Sequence, residues 1–557
     1  MTERILIYQV LPRLYGNKNT TNKPGGTIEE NGCGKMKDFT AAALDRIRQF
    51  GFTHIWYTGL LEHATQTDYS AYGIRRDNPE VVKGAAGSPY AIKDYYDIDP
   101  DLATEPDKRM REFENLVKRT HRAGLKMVID FVPNHVARQY FSDARPKGVR
   151  DLGEDDDTSK GFDPENNFYY ICGQTLHCPE TGIRSAMGPY REYPAKATGN
   201  DRFDAYPQIN DWYETVKLNY GIDYMNGRSA HFSPIPSTWR KMTDILLFWA
   251  AKGVDAFRCD MAEMVPVAFW NHAIAAVKKA YPHIQFIAEV YNPAEYANYI
   301  YTGRFDYLYD KVGLYDTLRA VTAGYAPASA ITGCWQAVEP YREHMLNFLE
   351  NHDEQRIASP MFAGDARKAI PALVVSACMF TNPFMVYAGQ ELGEPGMDSE
   401  GFSGTDGRTT IFDYWGVRTL QQLAAGAKKL TDEQQALYDT YRRIVTLCNE
   451  SEALREGQFH DLMYANQSSA YAFDAQTQYA FMRGGNKEKL LIVANFSNRS
   501  ASMGVCIPQH AFDHLKLRPG LRSAVDLMSG NSVTVNIKAE APTYVTVPAY
   551  SAVILKF

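Results

Sequence analysis

Short apolar runs that are typical of buried strands alternate with amphipathic segments from residue 5 to about residue 448, and this alternation constrains the fold most. Segments with helical periodicity, such as residues 38–50 and 108–123, separate the runs. Eight strands, each followed by a helix, predict a closed (β/α)8 TIM barrel of the α/β class. The eight runs are residues 5–10, 54–57, 127–131, 254–258, 286–289, 307–309, 346–349 and 385–387.

Two stretches depart from this alternation. Residues 136–226, after the third predicted strand, are polar, rich in Gly, Asp and aromatic residues, and too long for an ordinary loop, so we expect an inserted domain. After residue 455, alternating apolar and polar residues between Gly, Pro, Asn and Ser predict a C-terminal antiparallel β-sandwich. The expected division is a barrel of residues 1–135 and 227–455, an inserted domain of 136–226 and a C-terminal domain of 456–557.

Three of the predicted strands lead into a carboxylate, namely Asp260, Glu289 and Asp353. The carboxyl ends of parallel strands face the crevice where α/β proteins bind ligands, so these residues predict an active site. Acidic residues also follow strands as helix caps or solvated loop residues. Their neighbours favour the active site, because strand alternation places Arg258 on the same face as Asp260, and His352 precedes Asp353. A guanidinium beside Asp260 would keep that carboxylate ionised.

Four short motifs connect these residues to a known family. The motifs are DFVPNH at 130–135, FRCD at 257–260, IAE at 287–289 and NHD at 351–353. In this order and at this spacing they resemble the four signature regions of the α-amylase family, glycoside hydrolase family thirteen. A further segment around Tyr90 resembles the family segment that carries a sugar-stacking tyrosine. Together the matches extend over about residues 5–415, and they imply an α-amylase or α-glucosidase type of hydrolase.

The resemblance implies retaining cleavage of α-glucosidic bonds by double displacement, which needs two carboxyls about 5 Å apart. Asp260 is then the expected nucleophile. Glu289 is the expected general acid and base, kept protonated by the apolar residues around it. Asp353 is expected to bind sugar hydroxyls more strongly in the transition state than in the ground state. The linkage is expected to be α-1,4, with α-1,6 left open.

Other residues are expected to contact the sugar. The family pattern implies that His135 and His352 bind hydroxyls at the cleavage point and that Tyr90 stacks on the sugar ring, although a lone histidine is more often structural. The chain departs from the pattern of many starch-degrading relatives, which carry Lys and His where this sequence has Glu263 and Met264. We therefore expect short malto-oligosaccharides to be better substrates than long starch chains.

The metal content stays open at this point. In many relatives the asparagine equivalent to Asn134 helps to hold a calcium ion between the barrel and the inserted domain. Calcium takes six to eight oxygen ligands, so one asparagine cannot identify such a site. Asp155, Asp156 and Asp157 are further candidates, but an acidic run is also typical of a solvated loop. No cofactor is required by the expected chemistry, and calcium is an open alternative.

The charge of the chain limits the class of partner that it can bind. A formal charge of −7 without a basic stripe argues against a nucleic-acid surface, so the expected partner is an oligosaccharide substrate.

The first residues lack the features of a signal peptide. The apolar stretch 370–388 is interrupted by Pro371 and Pro383, which favours a helix and a strand over a membrane span. Eight scattered cysteines favour free thiols in a reducing compartment, so we expect a cytoplasmic protein.

Two other functions stay open. The stretch that contains Phe257, Arg258, Pro266 and Trp270 is similar to bacterial maltosyltransferases of the same family, so a sugar could replace water as the acceptor. Other family members have lost catalysis and serve as partners of membrane transporters. Those members lack some of the carboxylates, whereas this chain has all three and Arg258, which favours an enzyme.

Overall fold

The computed structural model of the protein describes residues 3–181, 183, 185–426 and 429–557. Eight parallel strands form a closed barrel in which each strand pairs with the next along the chain, and the eighth pairs with the first. The predicted (β/α)8 barrel is thereby confirmed, with strand bounds that differ from the predicted ones by at most two residues. The strands are Leu6–Val10, His54–Tyr57, Lys126–Phe131, Ala256–Cys259, Gln285–Ala288, Tyr307–Tyr309, Met345–Phe348 and Phe384–Tyr387.

The inside of the barrel is a packed apolar core. Because strand side chains alternate between two faces, one face of every strand points inwards, and the other packs against the surrounding helices. Every strand contributes at least one buried residue to the interior cluster. A filled interior leaves the loops at the carboxyl ends of the strands as the place for a ligand. The interior residues include Ile7, Trp56, Val128, Ala256, Ile287, Tyr309, Leu346 and Met385.

Helices follow the strands and surround the barrel. Two of them begin with the expected cap signals: the side chain of Thr40 accepts a hydrogen bond from the Ala43 N–H, and Thr431 forms a capping box with Gln434. In the described part of the chain, no helix is both long and apolar enough to cross a membrane. The longer helices are Ala41–Phe50, Arg109–Arg122, Ser237–Ala251, Val267–Ala280, Asp316–Thr322, Ala330–Ala337, Ile370–Cys378, Arg418–Ala424 and Asp432–Glu450. Shorter helices are Pro12–Tyr15, Ile28–Asn31 and Glu452–Glu456, and the helix Gln509–Leu515 lies in the C-terminal region.

Two excursions leave the barrel at the carboxyl ends of its strands. After the second strand, Leu61–His63 pairs with Ile92–Ile98 as an antiparallel hairpin. After the third strand, a long segment with little regular structure extends to the helix Ser237–Ala251. Antiparallel pairing of His135–Ala137 with Thr215–Lys217 brings both ends of this insertion together at the barrel mouth. The other short strands of the insertion are Tyr170–Ile171, Ala195–Lys196, Ile222–Asp223 and Ser229–Ala230.

The C-terminal region is antiparallel β-structure, as the alternating pattern predicts. A six-stranded sheet and a two-stranded sheet lie over a shared core. Buried Arg483 donates hydrogen bonds to the carbonyls of Cys378 and Met379, over 2.8 and 3.0 Å, and thereby joins the sheet to a barrel helix. The larger sheet contains, in spatial order, Gln458–Asp461, Gln478–Gly484, Lys489–Asn495, Ser551–Lys556, Gly520–Asp526 and Ser532–Ile537, and the smaller contains Ala501–Cys506 and Pro542–Val547.

Candidate active site

The barrel brings the three carboxylates predicted from the sequence around one arginine. Asp260 and Glu289 directly follow the fourth and fifth strands, and Asp353 lies in the loop after the seventh. Nη1 of the fully buried Arg258 lies 2.7 Å from Asp260 Oδ1, and Nη2 lies 2.9 Å from Glu289 Oε2. Asp353 Oδ2 is 4.0 Å from the same Nη2. The guanidinium of Arg258 therefore forms the centre of the cluster.

Arg258 is itself positioned by the interior of the barrel. Its Nε donates to the Tyr309 hydroxyl over 3.1 Å, and its Nη1 lies 3.6 Å from Asp130 Oδ1. Asp130 also accepts hydrogen bonds from Trp56 Nε1 and the Gly59 N–H. Burial raises the pKa of Asp130 to about 6, and the charge of Arg258 opposes that shift. Side chains of the second, third and sixth strands thus fix the arginine that the three acids share.

Glu289 is a hydrogen-bond acceptor on both of its oxygens. Oε1 accepts from the Tyr291 hydroxyl over 2.5 Å, and Oε2 accepts from the Met261 N–H over 2.8 Å in addition to its contact with Arg258. The residues beside it in the chain are apolar, as the sequence shows, but the carboxyl does not lie in an apolar environment. The reason is that Glu289 lies one residue beyond its strand, where the side chain reaches the polar mouth of the barrel. The surroundings of this carboxyl are therefore polar, in contrast to the apolar ones expected from the sequence.

The turn after Asp260 ties the ends of the fourth and fifth strands together. Met261 has φ 44° and ψ 41°, a left-handed conformation that is uncommon for a residue other than glycine. Glu263 Oε2 accepts hydrogen bonds from the backbone N–H groups of Tyr291 and Asn292, over 3.1 and 3.0 Å. Glu263 therefore supports the loop that follows the predicted acid, which its position in the sequence does not indicate.

His352 and Tyr90 lie together beside Asp353. Their rings stack with centroids 5.1 Å apart, and the Tyr90 hydroxyl is 2.6 Å from His352 Nε2. The Gln9 amide donates to His352 Nδ1 over 2.8 Å, and burial lowers the pKa of His352 well below its usual value. The imidazole is therefore neutral and carries its proton on Nε2, which is also 3.1 Å from Asp353 Oδ2.

His135 lies where the insertion leaves the barrel. Its ring contacts Trp212 of the insertion, with centroids 5.1 Å apart, and the backbone of Tyr90 lies close to it. Burial lowers the pKa of His135 to about 3, so the ring is neutral at physiological pH. All seven site residues predicted from the sequence thus belong to one connected set of contacts.

Several residues of the site were missed by the sequence interpretation. Gln9 and Tyr309 lie in the first and sixth strands, and Tyr291 lies two residues after Glu289. Gln9 could have been found from the sequence, because it is a polar residue within an apolar run. Arg408 gave no signal, because it lies in a long loop and donates its Nε proton to the Asp353 carbonyl over 2.6 Å.

The residues around Asn134 do not fit a calcium ion. Lys217 Nζ lies 2.7 Å from Asn134 Oδ1 and 2.5 Å from Asp201 Oδ1, with only 2% of the lysine side chain exposed. An ammonium group thus already binds the oxygens that a cation between barrel and insertion would need. Asp155 and Asp157 pair with basic side chains at the surface, and Asp156 accepts hydrogen bonds from the N–H groups of Asn167 and Phe168.

A (β/α)8 barrel whose strand ends place three carboxyls around one arginine is typical of an enzyme that uses carboxyl chemistry on its substrate. The family sequence model of the alpha-amylase catalytic domain matches residues 9–457 of this chain. The chain therefore belongs to the alpha-amylase family of glycoside hydrolases.

The chain is similar to several distant relatives. The chain is 25% identical to an alpha-amylase of Streptomyces lividans, over 94% of this chain and 56% of that protein, so it spans little more than half of that relative. It is 20% identical to Neopullulanase 2 of Thermoactinomyces vulgaris, over 87% and 70% of the two chains. The native Nostoc punctiforme debranching enzyme has a similar fold, with a TM-score of 0.65, 18% identity and full coverage of both chains. A noncanonic maltogenic alpha-amylase from Thermotoga neapolitana gives a TM-score of 0.64, 19% identity and coverage of 99% and 98%.

Proposed function

We propose that the protein is a retaining glycoside hydrolase that cleaves α-1,4-glucosidic bonds in malto-oligosaccharides. One observation carries the retaining mechanism: Asp260 and Glu289 bind neighbouring nitrogen atoms of a single guanidinium. This favours the separation of about 5 Å between carboxyls in retaining enzymes over the roughly 6.5–9.5 Å in inverting ones. The relatives named as an alpha-amylase and a neopullulanase support an α-glucan substrate.

Asp260 is the nucleophile of this scheme. Its Oδ1 is bound by Arg258, so Oδ2 is the oxygen that attacks the anomeric carbon. As the new C–O bond forms, the bond to the leaving oxygen breaks, and Glu289 donates its proton to that oxygen. Water then attacks the glycosyl ester, gives a proton back to Glu289 and releases Asp260 as a carboxylate.

The acid role of Glu289 requires a proton when the sugar is bound. One guanidinium faces three carboxyls, so its single charge does not balance all of theirs. Partial desolvation in the cleft and the charge of Glu289 raise the pKa of Asp353 to about 7. We expect a bound sugar to exclude water and to contact Tyr291, so that the proton retained by the cluster moves to Glu289.

Asp353 and its neighbours are suited to sugar hydroxyls. The Asp353 side chain is 41% exposed, whereas Asp260 and Glu289 are almost fully buried. It is therefore the acid that an incoming sugar reaches first. Neutral His352 supplies a fixed donor beside it, and the Tyr90 ring stacked on His352 forms the adjoining apolar surface. Contacts that become stronger as the sugar ring flattens would stabilise the transition state more than the bound substrate, and would thereby lower the barrier to cleavage.

The proposal is tested by incubating the protein with maltotriose and maltotetraose, and separately with α-1,6-linked isomaltose, while products are followed by NMR. Fresh α-anomer from the α-1,4 substrates is the expected result. Fresh β-anomer would reject double displacement. Products longer than the substrate would instead support glycosyl transfer, the alternative that the maltosyltransferase-like stretch leaves open.

A further inference from the structure

A second cluster of carboxylates lies outside the active site. Glu62, Asp94, Asp97 and Asp143 each place one oxygen within 4.8 Å of the others. Glu62 lies in the short strand Leu61–His63, and both Asp94 and Asp97 lie in its hairpin partner. Asp143 comes from the first loop of the insertion and is exposed, whereas the other three are buried. The cluster thus joins three separate segments and is open to solvent on one side.

Glu62 is the residue that these surroundings do not explain. It is 1% exposed, and neither of its carboxylate oxygens has a hydrogen-bond partner. Burial, with the nearby charges of Asp94 and Asp97, raises the pKa of Glu62 well above its usual value. Buried polar groups in folded proteins are nearly always hydrogen-bonded or bound to a metal, so an unpartnered carboxylate directed at three others points to a ligand.

The nearby basic side chains pair with other carboxylates: the charge of Lys93 partly opposes the rise in the Glu62 pKa, but its ammonium group pairs with Asp77 over 3.0 Å. Arg109 pairs with Asp97, whose Oδ2 lies 2.9 Å from the arginine Nε. Asp94 accepts hydrogen bonds from the Ser142 hydroxyl over 2.6 Å and from two backbone N–H groups. These contacts fix Asp94 and Asp97 in place and leave lone pairs on their oxygens for a cation.

We propose that Glu62, Asp94, Asp97 and Asp143 bind a calcium ion. Calcium accepts six to eight oxygen ligands at 2.3–2.6 Å, so carboxylate oxygens that all lie within 4.8 Å of one another can bind one ion. Magnesium usually keeps several waters and is bound by one or two carboxylates, so a set of four carboxylates favours calcium. Water completes the coordination on the open side at Asp143.

The ion would brace the entrance of the active site. Tyr90 lies two residues before the strand Ile92–Ile98 that carries Asp94 and Asp97. Asp143 belongs to the insertion that begins beside His135. Calcium would therefore bind the Tyr90 hairpin to the insertion, at a position distinct from Asn134, where Lys217 already supplies the cation.

Calorimetric titration of the full chain, freed of metal by a chelating resin, tests the site. Calcium chloride should show saturable binding with one ion at the cluster, and magnesium chloride should bind at least tenfold more weakly. Glu62→Gln removes one charge without changing shape and should weaken calcium binding at least tenfold. Asp143→Asn, at an exposed position that does not contribute to the core, should do the same in a protein that folds normally.

Asp107→Asn is the matched control, because Asp107 is exposed near Arg109 but does not belong to the cluster. It should bind calcium as the unmodified protein does. The proposal is overturned if the unmodified protein shows no saturable calcium binding. It is equally overturned if Asp143→Asn, or a folded Glu62→Gln, retains full calcium affinity. These measurements do not depend on catalysis, so they stay decisive whatever reaction the active site performs.

Discussion

The backbone N–H of Met261 donates a hydrogen bond to Glu289 Oε2 over 2.8 Å. Met261 directly follows Asp260, so the turn that presents the proposed nucleophile also positions the proposed acid. The spacing of the two carboxyls therefore depends on a main-chain contact as well as on Arg258. Amide substitutions that preserve the shape of either side chain should leave this framework intact, which makes them clean tests of chemistry.

Asp260→Asn should abolish turnover without unfolding the protein. The amide oxygen can still accept the hydrogen bond from Arg258, but an amide is not a competent nucleophile. We expect kcat on an activated aryl α-glucoside to fall by roughly 10³-fold or more, a loss typical of the removal of a catalytic group. The thermal melt measured by circular dichroism serves as the control. A variant with unmodified kcat would exclude Asp260 as the nucleophile.

Glu289→Gln should distinguish substrates by their leaving groups. General acid catalysis contributes roughly 10²–10⁴-fold when the leaving oxygen needs a proton, and much less when it does not. We therefore expect a large fall of kcat/KM on maltotriose and a small one on a nitrophenyl glucoside. Steady-state kinetics on both substrates provide the measurement. Equal losses on the two would assign Glu289 a structural role.

Chain-length preference should respond to Met264→His. An imidazole beyond the cleavage point would add binding energy for a longer glucan, and remote binding energy raises kcat/KM for longer substrates. For the unmodified enzyme we expect higher kcat/KM per bond on maltotriose than on soluble starch, and a shift towards starch in the variant. Glu263 should be retained in this test, because its carboxylate supports the loop after Glu289. Starch preference in the unmodified enzyme would contradict the prediction.

Lys217→Met should destabilise the junction between barrel and insertion. The change leaves Asn134 Oδ1 and Asp201 without their buried ammonium partner. Loss of such a partner costs about 1–3 kcal/mol of unfolding free energy, measured by urea denaturation. Lys160→Met, which removes a lysine exposed at the surface, is the matched control and should change stability little. Calcium affinity should be unchanged in Lys217→Met, since the proposed ion binds elsewhere.

Glu400→Gln should remove a pH dependence of stability. Burial raises the pKa of Glu400 to about 9, and one of its carboxylate oxygens has no hydrogen-bond partner. Because its pKa is higher in the folded state than in the unfolded state, Glu400 contributes stability that is fully present below the unfolded-state pKa of about 4.3. That contribution is lost as the pH rises through the folded-state pKa of about 9. The Tm of the variant relative to that of the unmodified protein should therefore be higher at pH 9.5 than at pH 5, as measured by melting curves at both values. A constant difference between the two proteins would reject this ionisation.

The barrel and its acids could be predicted from the sequence because both depend on local pattern. Eight apolar runs at helix-separated intervals specify parallel strands, and the carboxyl ends of parallel strands meet at one face. The convergence of Asp260, Glu289 and Asp353 therefore follows from the sequence alone. The position of Arg258 beside Asp260 was predictable from strand alternation, because residues two apart in a strand share a face.

Only the tertiary structure decided what each acid contacts. The Met261 contact with Glu289 and the Lys217 contact with Asn134 each depend on the docking of segments that are far apart in the chain. The isolation of Glu62 among three other carboxylates likewise arises where a hairpin meets the insertion. Sequence periodicity records which face of an element is buried, but it holds no information on which distant polar group will meet that face. Hydrogen bonding and charge at the site are set by those meetings, which is why the environment of Glu289 differed from expectation while its position did not.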